Sequence, residues 1–221
     1  MKIIAELGVN WDSIDQAKEM IKRSKEVGCF ASKFQLFTPK IAPNLPKHLY
    51  LTFEQAKELV DYGKSIDQIV FFTPMYTEAV DFLDFIEIEY YKIRNKDKYE
   101  LPLISKIYHT HRPTFISIDH YPHFDYKIQQ NKMFRFYLSF IRLAVVPKYP
   151  AKFEDYSFLF RYGHIYACKG LSDHTSNTRL LELCLKHGKY KYFEKHVCLT
   201  KDCLESKWSI TFDELEKVIK K

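Results

Sequence analysis

KIIAELG (residues 2–8) followed by IDQAKEMIKRSKEVG (14–28) is the stretch that decides the fold. The first segment is a short apolar run, read as a strand. In the second, Ile14, Ala17, Ile21 and Val27 fall near one helical face, and Gly28 supplies the stop. Together they make one βα unit. No Gly-rich GxGxxG turn joins its halves, which argues against a dinucleotide-binding doubly wound sheet. The same unit repeats as strand 32–37 with helix 53–66, strand 68–74 with helix 77–86, and strand 90–93 with helix 101–111. A strand at 114–119 precedes a stretch around 120–136 with no clear pattern. The alternation then resumes with strand 139–146, helix 152–163, strand 164–170, helix 178–188, strand 190–197 and helix 211–221. Roughly eight βα units specify a closed (β/α)8 TIM barrel, here a single α/β domain over residues 1–221, slightly below the usual size of about 250 residues.

The bulk composition narrows the class. With 46% hydrophobic and 28% charged residues the chain is long enough for one well-buried core, which argues against disorder. The net charge of +6 is spread without a dense basic block. That fits a basic rim for an anionic small molecule better than a nucleic-acid groove. Five cysteines at irregular spacing, with no CxxC, argue for free thiols in a reducing compartment. No apolar run reaches membrane length and no signal-peptide pattern follows Met1, so a cytoplasmic protein is expected.

In such a barrel the chemistry sits at the C-terminal ends of the strands, where loops vary without breaking the core. The polar residues there are Glu6 and Asn10, Lys33 and Gln35, Thr73, Lys92 and Asp97, Ser117, Tyr149, the Ser172-Asp173-His174 run, and His196. Each has an ordinary reading when taken alone. A lysine inside an apolar strand is equally read as ion-paired, His174 as part of a capping loop with Thr175 or Ser176 as N-cap, and His196 as a hydrogen-bonded core histidine. Their convergence on one mouth is harder to dismiss. His174 and His196 lie 22 residues apart (196 minus 174), about one strand-helix-strand repeat, and would face each other as ligands of a divalent metal. Lys33 and Lys92, with the hydroxyls of Thr73, Ser117 and Ser172, would make a pocket for a phosphate and a carboxylate together. A metal beside that pocket suggests a phosphoenolpyruvate-type ligand and a carbonyl acceptor.

At these residues the chain resembles the sialic acid (N-acetylneuraminate, nonulosonate) synthase family. The resemblance is carried by IAELGVN (4–10), EVGCFASKFQLF (26–37), FFTPMY (71–76), YYKIRNKD (90–97), LPLISKI (101–107), Tyr149-Pro150, GLSDHT (170–175) and EKHVCLT (194–200), in family order. It implies a catalytic Mn²⁺ or Mg²⁺ on His174 and His196. It implies phosphoenolpyruvate held by Lys33, Thr73, Lys92, Ser117 and Ser172, with Asp97 near the reacting carbons. Glu6, Tyr149 and Glu205 match the positions that meet the acceptor sugar, an N-acetylated amino sugar. The implied reaction joins phosphoenolpyruvate to that sugar's aldehyde, giving a nonulosonic acid and phosphate.

The sequence departs from the family pattern in four places. Asn10-Trp11-Asp12-Ser13 replaces NHNG, Ser117-Ile118-Asp119 replaces STG, Pro147 stands for an Asn or Ser, and Glu205-Ser206 for the Asp-His of GPDH. Residues 1–221 are expected to span the barrel alone, without the family's C-terminal antifreeze-like domain. The expected protein partner is therefore a second copy of the chain or a separate protein carrying that domain. Two further readings stay open: a barrel that binds metal or anion without turnover, and a related synthase with another aldose acceptor.

Overall fold

The computed structural model describes residues 1–119, 134–157 and 168–220. Eight parallel strands follow one another in chain order: β1 (Lys2–Gly8), β2 (Ala31–Leu36), β3 (Ile69–Pro74), β4 (Tyr91–Ile93), β5 (Thr114–Ile118), β6 (Ile141–Val145), β7 (Gly170–Asp173) and β8 (Tyr192–Cys198). Strand β8 pairs back onto β1, from Lys2 opposite Tyr192 to Glu6 opposite His196, and so closes a (β/α)8 TIM barrel. The described helices are α1 (Ile14–Glu26), α2 (Phe53–Ser65), α3 (Thr77–Phe85), α4 (Leu101–His109), α5 (Phe134–Ser139), α6 (Arg179–His187) and α7 (Phe212–Ile219). None of them is long and apolar enough to cross a membrane.

Local chemistry sets the helix ends. Ser13 caps α1 by accepting from the Gln16 backbone, and Gly28 follows its last turn at φ +84°. Reciprocal capping boxes open α2 (Thr52 with Gln55) and α7 (Thr211 with Glu214), each worth about 1 kcal/mol. Gly188 closes α6 in the left-handed region.

Side chains alternate along a strand with period two, and this alternation builds the barrel interior in layers. The lowest layer is an apolar plug of Ile4, Ala31, Phe71, Phe115, Leu143 and Tyr192. Gly170 completes it from β7, where a Cβ would collide with Leu143 and Tyr192. Two residues further along, seven of the eight strands turn polar, with Glu6, Lys33, Thr73, Lys92, Ser117, Ser172 and Glu194, while β6 contributes Val145. The next layer is the mouth. The opposite faces, through residues such as Ile3, Leu7, Phe34, Phe72 and Phe193, pack in a second cluster with Met20, Ile21, Leu59, Val60 and Leu83 of the helices. Burying each of these large side chains contributes roughly 1.5–3 kcal/mol.

The structure corrects several boundaries. Strand β7 begins at Gly170, where the sequence reading ended it, because Gly170 is the residue that fits between Leu143 and Tyr192. Ser172 and Asp173 therefore lie within the strand. Helix α6 starts after Thr178, whose side chain does not cap it; Asn177 Oδ1 accepts from the Arg179 N–H at 3.1 Å, while Thr175 is occupied with the Asp173 carboxylate. Of the expected helix over 152–163, Phe153–Tyr156 forms a 3₁₀ turn and 158–167 lie outside the described residues. Of the unpatterned stretch over 120–136, residues 120–133 lie outside them too, and α5 begins at Phe134. A short strand β9 (Ile210–Thr211), not foreseen, pairs with the end of β8. All five cysteines are free.

Candidate active site

The polar layer holds four charges nearly out of reach of water: Glu6, Lys33, Lys92 and Glu194 are 1–3% exposed. A buried ammonium is costly unless paired, and here strand register supplies the partners. Glu6 stands opposite Lys33 across β1 and β2, and the two form an ion pair. Lys33 Nζ also donates to Thr73 Oγ1 at 3.2 Å and lies 3.7 Å from Glu194. Lys92 Nζ donates to both Glu194 oxygens, at 2.6 and 2.8 Å. Ser172, opposite Glu194 across β7 and β8, donates to it at 2.8 Å. Gln35 donates to Glu6 at 3.1 Å.

Burial pushes Lys33 down to about 7, with the Glu194 charge opposing the shift. Burial lowers Lys92 as well, again against Glu194. Burial alone would raise Glu194, but Lys33 and Lys92 outweigh it and hold this carboxyl well below the usual range. Glu194 is thus ionised at neutral pH, a carboxylate standing between two lysines in a site that can hold an anion.

Above this layer His174 and His196 meet with ring centroids 5.4 Å apart. His174 Nδ1 is 3.0 Å from the Val146 carbonyl, which can only accept, so Nδ1 carries the proton and Nε2 keeps its lone pair. Burial, reinforced by His196, holds His174 well below the ordinary histidine range, in the neutral form. His196 Nδ1 is 2.9 Å from Glu205 Oε2, which fixes the same tautomer. Glu205 is itself held: its N–H donates to Asn10 Oδ1 at 3.1 Å, and Asn10 donates to Ser209 at 3.0 Å. Gly8, at φ +47°, leaves the space for this carboxylate, since a Cβ there would collide with Glu205. Tyr149, 56% exposed, stacks on His174 with centroids 4.1 Å apart, and Trp208 stands edge-on to Tyr149 at 5.6 Å.

Two imidazoles, each bonded at Nδ1 to an oxygen so that Nε2 is the atom available to a ligand, are the donor chemistry of a divalent transition-metal site. Among the described residues no group of three His, Cys, Asp or Glu side chains could enclose such an ion. The remaining coordination positions would fall to water and substrate, which suits a catalytic metal more than a structural one.

One cavity of about 400 Å³ gathers most of the residues expected from the sequence: Glu6, Lys33, Lys92, Ser117, Tyr149, Ser172, His174, His196 and Glu205. Thr73 lies behind Lys33 without lining the cavity, and Asp97 likewise stands back. The Asp97 carboxylate accepts from Arg94 Nε and Nη2 at 2.5 and 2.8 Å, and it is Arg94 that lines the wall. The extra carboxylate of Asp119 turns to Lys98 at 2.7 Å, so it is neutralised locally. Asp173 points to the other face, where it pairs with the fully buried Lys195 at 3.0 Å. Glu194, Arg94, Asn95 and Lys96 are wall residues that the sequence reading did not single out. Counting back by two from His196 and forward by two from Lys92 would have found Glu194 and Arg94.

Residues 42–221 match the family model described as NeuB family. The chain belongs to the NeuB family. Pseudaminic acid synthase of Helicobacter pylori is 27% identical to this NeuB chain over 246 residues, covering 99% of it and 72% of that protein. N-acetylneuraminate-9-phosphate synthase of Mus musculus is 33% identical over 138 residues, covering 52% of the chain and 38% of that protein. The crystal structure of N-acetylneuraminic acid synthetase from Leptospira borgpetersenii, in complex with citrate, superposes with a TM-score of 0.85 at 23% identity. That match covers 99% of this chain and 81% of the other, and it establishes the shared barrel fold. The named relatives of this NeuB chain are thus synthases.

Proposed function

We propose that this chain is a phosphoenolpyruvate-dependent condensing synthase that joins phosphoenolpyruvate to the aldehyde of an N-acetylated amino sugar, releasing phosphate and leaving a nonulosonic acid. The observation that carries the reading is the vertical arrangement in one cavity: two buried lysines at the floor and, above them, two imidazoles each bonded at Nδ1 to an oxygen. Lys33 and Lys92, with Ser117 and Ser172, hold the anionic donor, and Thr73 positions Lys33 from behind. Glu6 and Glu205 supply acceptors for sugar hydroxyls, and the Tyr149 ring supplies a face to pack on. A divalent metal, Mn²⁺ or Mg²⁺, held by Nε2 of His174 and His196 would supply Lewis-acid polarisation of the aldehyde oxygen.

The balance is simple. The methylene carbon of phosphoenolpyruvate forms the new bond to the aldehyde carbon, whose oxygen takes a proton and becomes a hydroxyl. Water adds at C2, and the C–O bond to phosphate breaks as the 2-keto group forms. Buried cations around the donor stabilise its charge without reorganising at the moment of reaction.

The test is phosphate release from phosphoenolpyruvate by the purified chain with manganese and a panel of N-acetylated amino sugars. Release that requires the acceptor supports the reading; metal binding with no release from any acceptor leaves a binding barrel instead. The same assay carries a pH prediction. Lys33, lowered to about 7, loses its proton above that pH, so the KM for phosphoenolpyruvate is expected to rise between about pH 7 and 9. Lys33→Met should give a higher KM throughout and a flatter profile. A profile unchanged by that substitution would remove Lys33 from the donor site. The named relatives differ in whether their product carries a phosphate, so the acceptor has to be read from this chain's own mouth.

A further inference from the structure

Strands β6 and β7 stop pairing just short of the histidines, with Val145 opposite Ser172. Buried backbone groups beyond that point still need partners, and one side chain supplies them. Tyr156, in the 3₁₀ turn Phe153–Tyr156 and fully buried, sends its hydroxyl to the end of β7. The hydroxyl donates to the Ser172 carbonyl at 3.0 Å and accepts from the His174 N–H at 3.2 Å. From the same segment the Ala151 N–H donates to the His174 carbonyl at 3.0 Å. Both backbone polar groups of His174 are therefore held by residues 151–156.

The consequence falls on the Val146 carbonyl. In a continuing parallel ladder the strand-end carbonyls of β6 would accept backbone N–H groups of β7. Here the His174 N–H is already bonded to Tyr156, and the Val146 carbonyl, the first after β6, lies 3.0 Å from the ring nitrogen Nδ1 of His174 instead. A carbonyl only accepts, so Nδ1 carries the proton and Nε2 is left for a ligand. We propose that Tyr156 is a positioning residue for His174: its hydroxyl takes the backbone N–H, so that the Val146 carbonyl binds the ring at Nδ1 and Nε2 is presented to the cavity. The placing of the ring stands on the geometry of the chain itself; its effect on metal affinity rests on the reading of His174 as a metal ligand. Without the hydroxyl, the buried His174 N–H is left to compete with the ring for the same carbonyl.

The experiment compares the parent chain with Tyr156→Phe and Tyr91→Phe. Tyr91 is also fully buried, and its hydroxyl donates to the Val80 carbonyl at 3.3 Å without lining the cavity. Its variant therefore reports what the loss of a buried hydroxyl does by itself, and both variants should melt a few degrees below the parent. Long-range proton–nitrogen NMR spectra of the metal-free chain read the ring directly. The parent and Tyr91→Phe should show His174 as the single Nδ1–H tautomer, and Tyr156→Phe should lose that uniqueness. Calorimetric titration with Mn²⁺ should show an affinity roughly 10- to 100-fold lower in Tyr156→Phe, the scale of a lost supporting contact, and unchanged in Tyr91→Phe. A single Nδ1–H tautomer retained by Tyr156→Phe overturns the proposal, as does an equal loss of Mn²⁺ affinity in both variants. The parent spectrum is a reading that needs no variant: the Nδ1–H tautomer supports the proposal and the Nε2–H tautomer overturns it. Where the parent binds no Mn²⁺, the metal reading fails on its own, and the ring spectra still decide this one.

Discussion

Glu194→Gln is expected to lower the melting temperature by roughly 10 °C while strengthening the binding of anions. The carboxylate accepts two hydrogen bonds from Lys92, one from Ser172, and lies 3.7 Å from Lys33, all in a layer with almost no solvent contact. Removing one partner of a buried pair leaves the other charge uncompensated, at a cost of about 3–5 kcal/mol. For a chain of this size each kcal/mol moves the melting point by about 2–4 °C. Replacing both partners, in Lys92→Met with Glu194→Leu, should recover much of the stability, because the desolvation cost leaves with the charges. That double variant should not bind the donor.

The sign of the pH dependence follows from the same charges. Burial lowers Lys33 and Lys92 in the folded chain, so between about 7 and their unfolded value the unfolded chain holds more protons. Stability therefore rises with pH across that window, and the rise should be steeper in Glu194→Gln, where the carboxylate that opposes the shift is gone. Inorganic phosphate should raise the melting point of the variant more than that of the parent, since an anion stands in for the lost carboxylate. Urea denaturation at pH 7 and pH 9, with and without phosphate, reads all three effects. A variant as stable as its parent would mean that Glu194 does not compensate the lysines.

The barrel was legible because its strands and helices differ in period, and a run such as KIIAELG next to IDQAKEMIKRSKEVG shows both within 27 residues (28 minus 2, plus 1). Strand β7 was misplaced because an apolar run precedes Gly170, and apolarity alone does not say which residue a closed barrel will seat between Leu143 and Tyr192. The histidines and lysines stood out by chemical type. Glu194 did not, because a glutamate beside Lys195 reads as an ordinary alternating charge. The two in fact face opposite ways: Glu194 enters the cavity with His196, while Lys195 pairs with Asp173 on the other face. The exchange at Asp97 was hidden for a different reason. Its carboxylate is spent on Arg94 three residues earlier, a contact made by a 3₁₀ turn that strand spacing does not predict.

His174→Ala should abolish acceptor-dependent phosphate release and Glu205→Gln should only weaken it. In the proposed metal site His174 would offer Nε2 directly, so its loss would remove one of two donors from a site that has no third among the described residues. Glu205 acts through His196, where its carboxylate holds Nδ1 and orients the ring. Loss of such a supporting contact costs roughly 10- to 100-fold in metal affinity, and saturating metal should restore most of the rate. Loss of the ligand itself should exceed that range and resist rescue. Titrating Mn²⁺ into each variant by calorimetry, beside phosphate release at low and saturating Mn²⁺, separates the two roles. If His174→Ala kept the parent's affinity for the metal, the imidazole pair would not be what holds it. If Glu205→Gln instead lost activity beyond rescue with its metal affinity intact, the carboxylate would be acting on the acceptor, as its place on the cavity wall also allows.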